Sequence, residues 1–246
     1  MGERYDLIVV GAGPGGSSTA YHAARSGLKT LLLDRQSFPR DKPCGDGLMP
    51  HAAAELALMG LGGWLEEEHH GAFTGFTIYS ETAVLRQKVP PTLHGPRGYV
   101  ARRKETDARL AGRAAEAGAE LMEQTRAARL LRSAAGTVSG VEAERSGERV
   151  RFAAPLVVVA DGVGGFAAGG MKARQNAVAR RQYSRGVSGP EREHLQIFIT
   201  PDMNSHHAGY GWVFHFGDGT ANVGAGVSTR ALERSGRNLK DFYDRF

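Results

Sequence analysis

Gly11-Ala12-Gly13-Pro14-Gly15-Gly16 has the spacing Gly-x-Gly-x-x-Gly, which lets a backbone close on a pyrophosphate. Gly11 permits the tight turn, Gly13 lets the phosphates approach, and Gly16 lets a helix pack close to the preceding strand; Pro14 and Gly15 complete the loop. The flanks supply the context that such a loop requires. Tyr5 to Val10 reads as a short buried strand and Gly15 to Ser26 as a helix closed at Gly27. Lys29 to Leu33 reads as a second buried strand. It ends in Asp34, followed by Arg35, where a carboxylate can accept hydrogen bonds from ribose hydroxyls. The helix N-terminus offers free N–H groups to phosphates. The acid at Asp34 repels a 2′-phosphate, which disfavours NADP here and leaves NAD and FAD.

Other residues with chemical potential follow. Cys44 lies in a polar loop leaving the carboxyl end of a strand, the edge where open α/β sheets bind ligands. That placement points to chemistry or cofactor contact, the alternative being a small buried apolar side chain. Arg40 and Arg103 could offer bidentate donors to phosphates, with a solvated helix start as the alternative for Arg103. Asp161-Gly162 follows the buried run Leu156 to Val159 and falls at the same sheet edge, unless it is an ordinary turn. Tyr210, Trp212, Phe214 and Phe216 alternate along one strand face. They either wall an apolar substrate channel or pack the sheet on its own core. Gly217-Asp218-Gly219 reads as a hairpin turn. His69-His70 and His206-His207 would point to opposite faces of a strand, and no cysteine or carboxylate cluster has ligand spacing, so no metal is expected.

The elements that must position these residues alternate between strand and helix. His51 to Met59 reads as a short helix, Ala72 to Val89 as strand, and Lys104 to Ala117 as a helix with Leu110, Ala114 and Ala117 on one stripe. Ala127 to Leu131, Val138 to Ala143 and Arg149 to Ala153 read as three strands joined by turns at Gly136 and Gly147. From Asn176 the pattern is antiparallel, with strands at Leu195 to Ile199, Gly211 to Phe216 and Asn222 to Val227, and Asn238 to Phe246 opens a helix. The fold class is α/β: a nucleotide domain over 1–72 and 97–175, a β-rich domain over 73–96 and 176–237, and a helix at 238–246. The chain has 246 residues and a single cysteine, which excludes an internal disulfide and suits a reducing cytosol. The net charge of +5 comes from dispersed residues and the short clusters Arg102-Arg103-Lys104 and Arg180-Arg181, read as solvated surface, with no nucleic-acid partner. Leu7 to Val10 is too short to span a bilayer. A cytoplasmic protein is expected, with contact at a membrane surface left open and no protein partner indicated.

Phe38-Pro39-Arg40-Asp41-Lys42-Pro43-Cys44-Gly45-Asp46-Gly47-Leu48 resembles the loop after the second strand in the geranylgeranyl reductase family of flavoproteins, a branch of the group built like para-hydroxybenzoate hydroxylase. Arg103-Lys104-Glu105-Thr106-Asp107 resembles that group's Arg-x-x-Phe-Asp, with Thr106 in the bulky apolar position, and Val158-Val159-Ala160-Asp161-Gly162 resembles its strand-then-Asp-Gly motif. Tyr210 to Phe214 and Asn222 to Gly226 are similar to the reductases' substrate-domain signature, with Ala208 and His215 where the family has proline. The resemblance implies a Rossmann-like FAD-binding domain with an inserted β-rich substrate domain. It implies FAD at Gly11 to Gly16, Asp34 and Arg35, with Arg40, the Cys44-Gly45-Asp46-Gly47 loop, Arg103, Asp161 and Gly162 contributing. The implied reaction reduces isolated carbon–carbon double bonds of an isoprenoid or similar apolar substrate. NAD(P)H or another reductant is the transient electron donor, Cys44 lies near the flavin ring, and Tyr210, Trp212 and Phe214 line the substrate. An FAD-dependent monooxygenase or halogenase shares the scaffold, and a non-catalytic nucleotide-binding remnant is the alternative of another class. The group's later Gly-Asp flavin segment has no counterpart before Phe246, so the chain is expected to be incomplete at its C-terminus.

Overall fold

The computed structural model describes residues 3–67, 69–90, 95, 97–163, 165, 176–188, 191–199 and 209–245. In chain order the strands are β1 (Leu7–Val10), β2 (Thr30–Leu33), β3 (Gly47–Leu48), β4 (Gly71–Phe73), β5 (Gly75–Tyr79), β6 (Val84–Lys88), β7 (Gly98–Val100) and β8 (Glu120–Met122). They continue with β9 (Thr125–Arg132), β10 (Val138–Arg145), β11 (Glu148–Ala153), β12 (Leu156–Val159), β13 (Ala177–Arg185), β14 (His194–Phe198), β15 (Gly209–His215) and β16 (Thr220–Ser228). The helices are α1 (Pro14–Arg25), α2 (Pro50–Leu58), α3 (Gly62–Leu65), α4 (Arg103–Glu116), α5 (Thr229–Ser235) and α6 (Leu239–Arg245).

The chain divides into two compact units. The first comprises Met1–Asp41 and Lys104–Ala173. Its parallel sheet has the order β12-β1-β2-β8, so the three expected strands lie side by side, with Leu7 opposite both Thr30 and Leu156. Every residue of β1 and β2 is buried, which is why both read as continuous apolar runs. The β8 strand is an addition. Glu120-Leu121-Met122 is too short to show a period, and only its pairing with Leu31 to Leu33 makes it a strand. The expected antiparallel sheet forms in the order β11-β10-β9. Tyr5, Ile8, Val10, Leu31 and Leu33 share one core with Ala127, Val141, Ala143 and Phe152.

The second unit comprises Lys42–Arg103 and Arg174–Phe246. Its large sheet has the order β13-β16-β15-β14-β5-β6. The antiparallel pattern expected there holds except between β14 and β5, which run parallel, with Leu195 opposite Phe76. A parallel pair needs a long connection, and the intervening chain of the first unit provides it. The small sheet β3-β7-β4 packs Phe73 and Val100 with Val89, Leu195 and Phe216. The first division falls after Asp41, whereas the sequence reading placed it after residue 72. The reason is pairing: β3 and β4 both bond to β7 and carry the Cys44 loop into the second unit. Among the described residues, no helix is long and apolar enough to cross a membrane.

On β10, Glu142 stands directly opposite Arg129 and Arg151 and is 2% exposed. Both guanidiniums bond it, at 2.9 Å for each Nε, and hold its carboxyl down to about 2. A depressed carboxyl contributes stability above its unfolded value and loses it as pH falls through its folded value. Urea midpoints of the wild type and Glu142→Gln should therefore differ at neutral pH and converge as pH falls from the ordinary 4.5 toward about 2. Parallel curves across that window would remove the ion triad from the stability of this sheet.

Candidate functional site

The glycine loop closes the way its spacing requires. Gly11 has φ +95°, and a Cβ there would lie 2.6 Å from the Ala160 carbonyl oxygen. A Cβ on Gly16 would fall 1.8 Å from the Gly11 carbonyl oxygen and 3.3 Å from Val9 Cγ1, so α1 sits directly on the end of β1. Gly13 is the extended N-cap of α1, Pro14 opens the helix, and no side chain caps it. Its leading N–H groups are thus left for an anion. Gly15 is exposed, and a Cβ there meets nothing within 4 Å. At the end of β12, Gly162 has φ +73°, and the Asp161 carboxylate stands where a Cβ on Gly165 would fall 1.9 Å from Cγ. Asp161 Oδ2 is buried with no hydrogen-bond partner among the described residues. Uncapped donors and an orphaned acceptor in one unit fit a sugar–pyrophosphate ligand, which brings negative phosphates and hydroxyl donors.

Asp34 and Arg40 are both engaged with partners inside the first unit. Asp34 is 7% exposed. Its Oδ2 accepts the Ala12 N–H at 2.9 Å and its Oδ1 the Gln36 N–H at 2.9 Å. The carboxylate therefore braces the glycine loop first and offers a ribose only its remaining acceptor capacity. Arg40 was expected to donate to phosphates. Instead its Nη1 bonds Asp107 Oδ2 at 2.7 Å and its Nη2 meets Asp34 Oδ2 at 3.4 Å. The reason is electrostatic: two nearly buried carboxylates claim the guanidinium. Arg35 is exposed. Arg103 contributes through its backbone, whose N–H donates to Asp46 Oδ1 at 3.2 Å.

The second unit builds its own cluster around the Cys44 loop. Asp46 is 1% exposed and left-handed, with φ 65°. Its Oδ2 accepts the Tyr183 hydroxyl and the Asn222 amide, each at 2.8 Å. Burial pushes the Asp46 carboxyl above its ordinary value against these donors and the charge of Arg181. The Cys44 carbonyl accepts the same Asn222 amide at 2.8 Å. A Cβ on Gly45 would lie 3.1 Å from Phe214 Cε2, and one on Gly47 would lie 3.6 Å from Leu195 Cδ1. Sequence reading has Asn222 only as the first residue of the family-like run Asn222 to Gly226, without a bonding role, and passes over Tyr183. The available signal was a polar residue, Asn222, at the head of an apolar, glycine-rich strand.

Along β15 the aromatic face divides. Tyr210 is 48% exposed, whereas Trp212 is 5% exposed and fits over Gly224, where a Cβ would lie 2.1 Å from Cζ2. Phe214 packs beside Trp212 with ring centroids 6.3 Å apart. Phe216, 4% exposed, lies in the core of the small sheet beneath the Arg102 guanidinium, 4.1 Å from its ring centroid, and Phe214 packs against that same core. Gly217-Asp218-Gly219 forms the expected hairpin turn, with Asp218 Oδ1 accepting the Thr220 N–H at 3.0 Å. His69 and His70 lie in a turn, not a strand, with ring centroids 3.9 Å apart. Opposite strand faces therefore give no ground for excluding a metal there. The ligand atoms of Glu67, His69 and His70 lie within 4.8 Å of one another, wider at that limit than the roughly 3.4 Å between ligands on a tetrahedral zinc. His206, His207 and Ala208 lie outside the described residues.

Comparison with known proteins matches residues 4–188 to the FAD binding domain family. The menaquinone reductase of Mycolicibacterium smegmatis is 34% identical over 99% of this chain and 60% of its own length. The digeranylgeranylglycerophospholipid reductase of Thermoplasma acidophilum is 32% identical over 99% of this chain and 61% of its own. The solved structure of a geranylgeranyl bacteriochlorophyll reductase-like protein from Thermoplasma acidophilum superposes with a TM-score of 0.80 at 29% identity, covering 100% of this chain and 62% of that one. A myxobacterial chondrochloren halogenase has a TM-score of 0.79 at 24% identity, a likeness of fold. The chain spans about 60% of the length of the curated relatives it matches.

Gly16→Ala should destabilise the chain by about 1–3 kcal/mol, the cost of overpacking a tight contact, and lower the thermal midpoint by several degrees. Gly15→Ala should leave the midpoint in place. Circular dichroism melts of the two variants check this, and equal melts would dissolve the distinction between the two glycines.

Proposed function

Because the chain belongs to the FAD binding domain family, we propose that it is the FAD-holding part of a reductase that saturates carbon–carbon double bonds in an isoprenoid or similar apolar substrate. What carries the reading is that relatives named as reductases share 32–34% identity across 97–99% of the chain. That span takes in both the glycine cradle and the Cys44 loop. The halogenase likeness, at 24% identity, extends to fold alone.

The first unit would hold the adenosine and pyrophosphate. The leading N–H groups of α1 would hold the phosphates, and Asp161 Oδ2 would accept from a ligand hydroxyl. When bound and reduced, FAD supplies the hydride for the reaction. The second unit would serve the substrate. Tyr210 and Phe214 offer apolar surface beside the buried Trp212, and Cys44 Sγ–H is the group we assign to hold the proton that saturation also consumes. NAD(P)H or another two-electron donor would replenish the reductant from outside. An apolar isoprenoid substrate would bring the protein to a membrane surface.

The test uses the natural polypeptide that contains these residues, with a geranylgeranyl lipid and dithionite under argon. The product should gain a hydrogen pair for each double bond lost. Cys44→Ser should slow that gain about 100-fold, the lower range for loss of a positioned proton donor. Gly13→Val should abolish flavin absorbance by blocking backbone approach to the pyrophosphate. In a parallel incubation in air, with NAD(P)H and halide in place of dithionite, an oxygen-dependent hydroxylated or halogenated product would replace the reductase reading with the other chemistry of this scaffold.

A further inference from the structure

Asn222 is completely buried, and every hydrogen-bonding group of its side chain is in use. Its Oδ1 accepts the Trp212 indole N–H at 2.9 Å, and its Nδ2 donates to the Cys44 carbonyl and to Asp46 Oδ2, both at 2.8 Å. The partners fix the amide's orientation. An indole N–H can only donate, and a carbonyl and a carboxylate can only accept, so a flipped amide would lose all three bonds. No other side chain of this size meets the same demands. An aspartate would lose both donors and set a second carboxylate against Asp46, while an apolar residue would take their partner from the Trp212 indole N–H and the Cys44 carbonyl and one of two side-chain donors from Asp46 Oδ2.

The register explains how one side chain reaches so much. On β16, Asn222 stands opposite Tyr183 of β13 on one side and Phe214 of β15 on the other. Tyr183 donates to the same Asp46 oxygen at 2.8 Å, and Phe214 closes over Gly45. The loop is thus pinned at the Cys44 carbonyl, pressed at Gly45 and held in a left-handed turn at Asp46, whose own carbonyl accepts the Ala101 N–H at 3.0 Å. Two of these restraints run through Asn222.

We infer that Asn222 is a positioning residue for Cys44: it couples the Trp212 indole to the Cys44–Asp46 loop and so sets where the thiol stands, a role that rests on the reading of Cys44 as the substrate-facing group. Trp212 is part of the same device, and its indole N–H serves to orient Asn222.

The chain has one cysteine, so alkylation by iodoacetamide reports Cys44 alone. In the full chain at neutral pH, Asn222→Ala should raise the alkylation rate by about tenfold as the loop is released to open locally. Trp212→Phe, which keeps both Asn222 donors but leaves its Oδ1 without the indole N–H, should raise it by a smaller factor. Val227→Ala, a cavity variant at another buried position of the same strand, controls for lost stability. It should leave the rate at the wild-type value even where its thermal midpoint falls as far. Trp212 emission should shift in Asn222→Ala and stay in Val227→Ala. Should Asn222→Ala not fold, Trp212→Phe carries the comparison against Val227→Ala. Wild-type alkylation in the folded Asn222 and Trp212 variants, or an equal rise in Val227→Ala, would overturn the role. Alkylation needs neither flavin nor substrate, so this outcome is independent of whether the polypeptide proves to be a reductase.

Discussion

The Asp34 carboxylate is the joint on which the first unit turns. It takes the Ala12 N–H from inside the glycine loop and the Gln36 N–H from the chain leaving β2. It also meets the Arg40 guanidinium, which in turn grips Asp107 on α4. Loop, strand end and helix are thereby fixed by one buried charge and its obligatory partners. Removing a single member of such a cluster leaves an uncompensated charge, at a cost of roughly 3–5 kcal/mol. The glycine cradle keeps its shape because its neighbour cannot relax.

The second unit answers a similar demand in a different currency. Asp46 is as deeply buried, yet the bonds it accepts come from neutral donors: a phenol, a side-chain amide and a backbone N–H. Neutral donors stabilise a carboxylate less than a guanidinium does, and burial accordingly outweighs them. The contrast separates the two carboxylates. One is locked by a cation into the frame of a nucleotide cradle. The other holds a loop in place through bonds that single substitutions can loosen.

What the sequence disclosed and what it withheld follow from the range of the interactions. The glycine loop, the buried runs of β1 and β2, and the Asp218 hairpin depend on neighbours a few residues away, so local pattern was enough; β12 also read as a buried run, but it is the edge strand of its sheet, with Leu156 55% exposed and Val157 to Val159 half-buried. The β8 strand and the parallel pairing of β5 with β14 depend on partners far along the chain. Neither shows a period that could betray them. Arg40 looked like a phosphate donor because the burial of Asp107, its real partner, leaves no mark on composition. Asn222 was legible as the head of a family-like strand, but its three bonds were not, because their partners lie far along the chain. The two histidines misled because adjacency means opposite faces in a strand and nothing of the kind in a turn.

The interleaving of the units has a consequence for how the chain acquires its shape. β1 is an inner strand, yet one of its neighbours, β12, comes after most of the first unit has been made. β5 likewise waits for β14 before its second edge is covered. On a ribosome, both strands therefore stand half-paired while the intervening segments emerge. Closures this distant are slow, and an open apolar edge is an invitation to pair with the wrong chain. Neither unit can mature in order of synthesis. The growing polypeptide passes through a stage in which two unfinished sheets stand open at once.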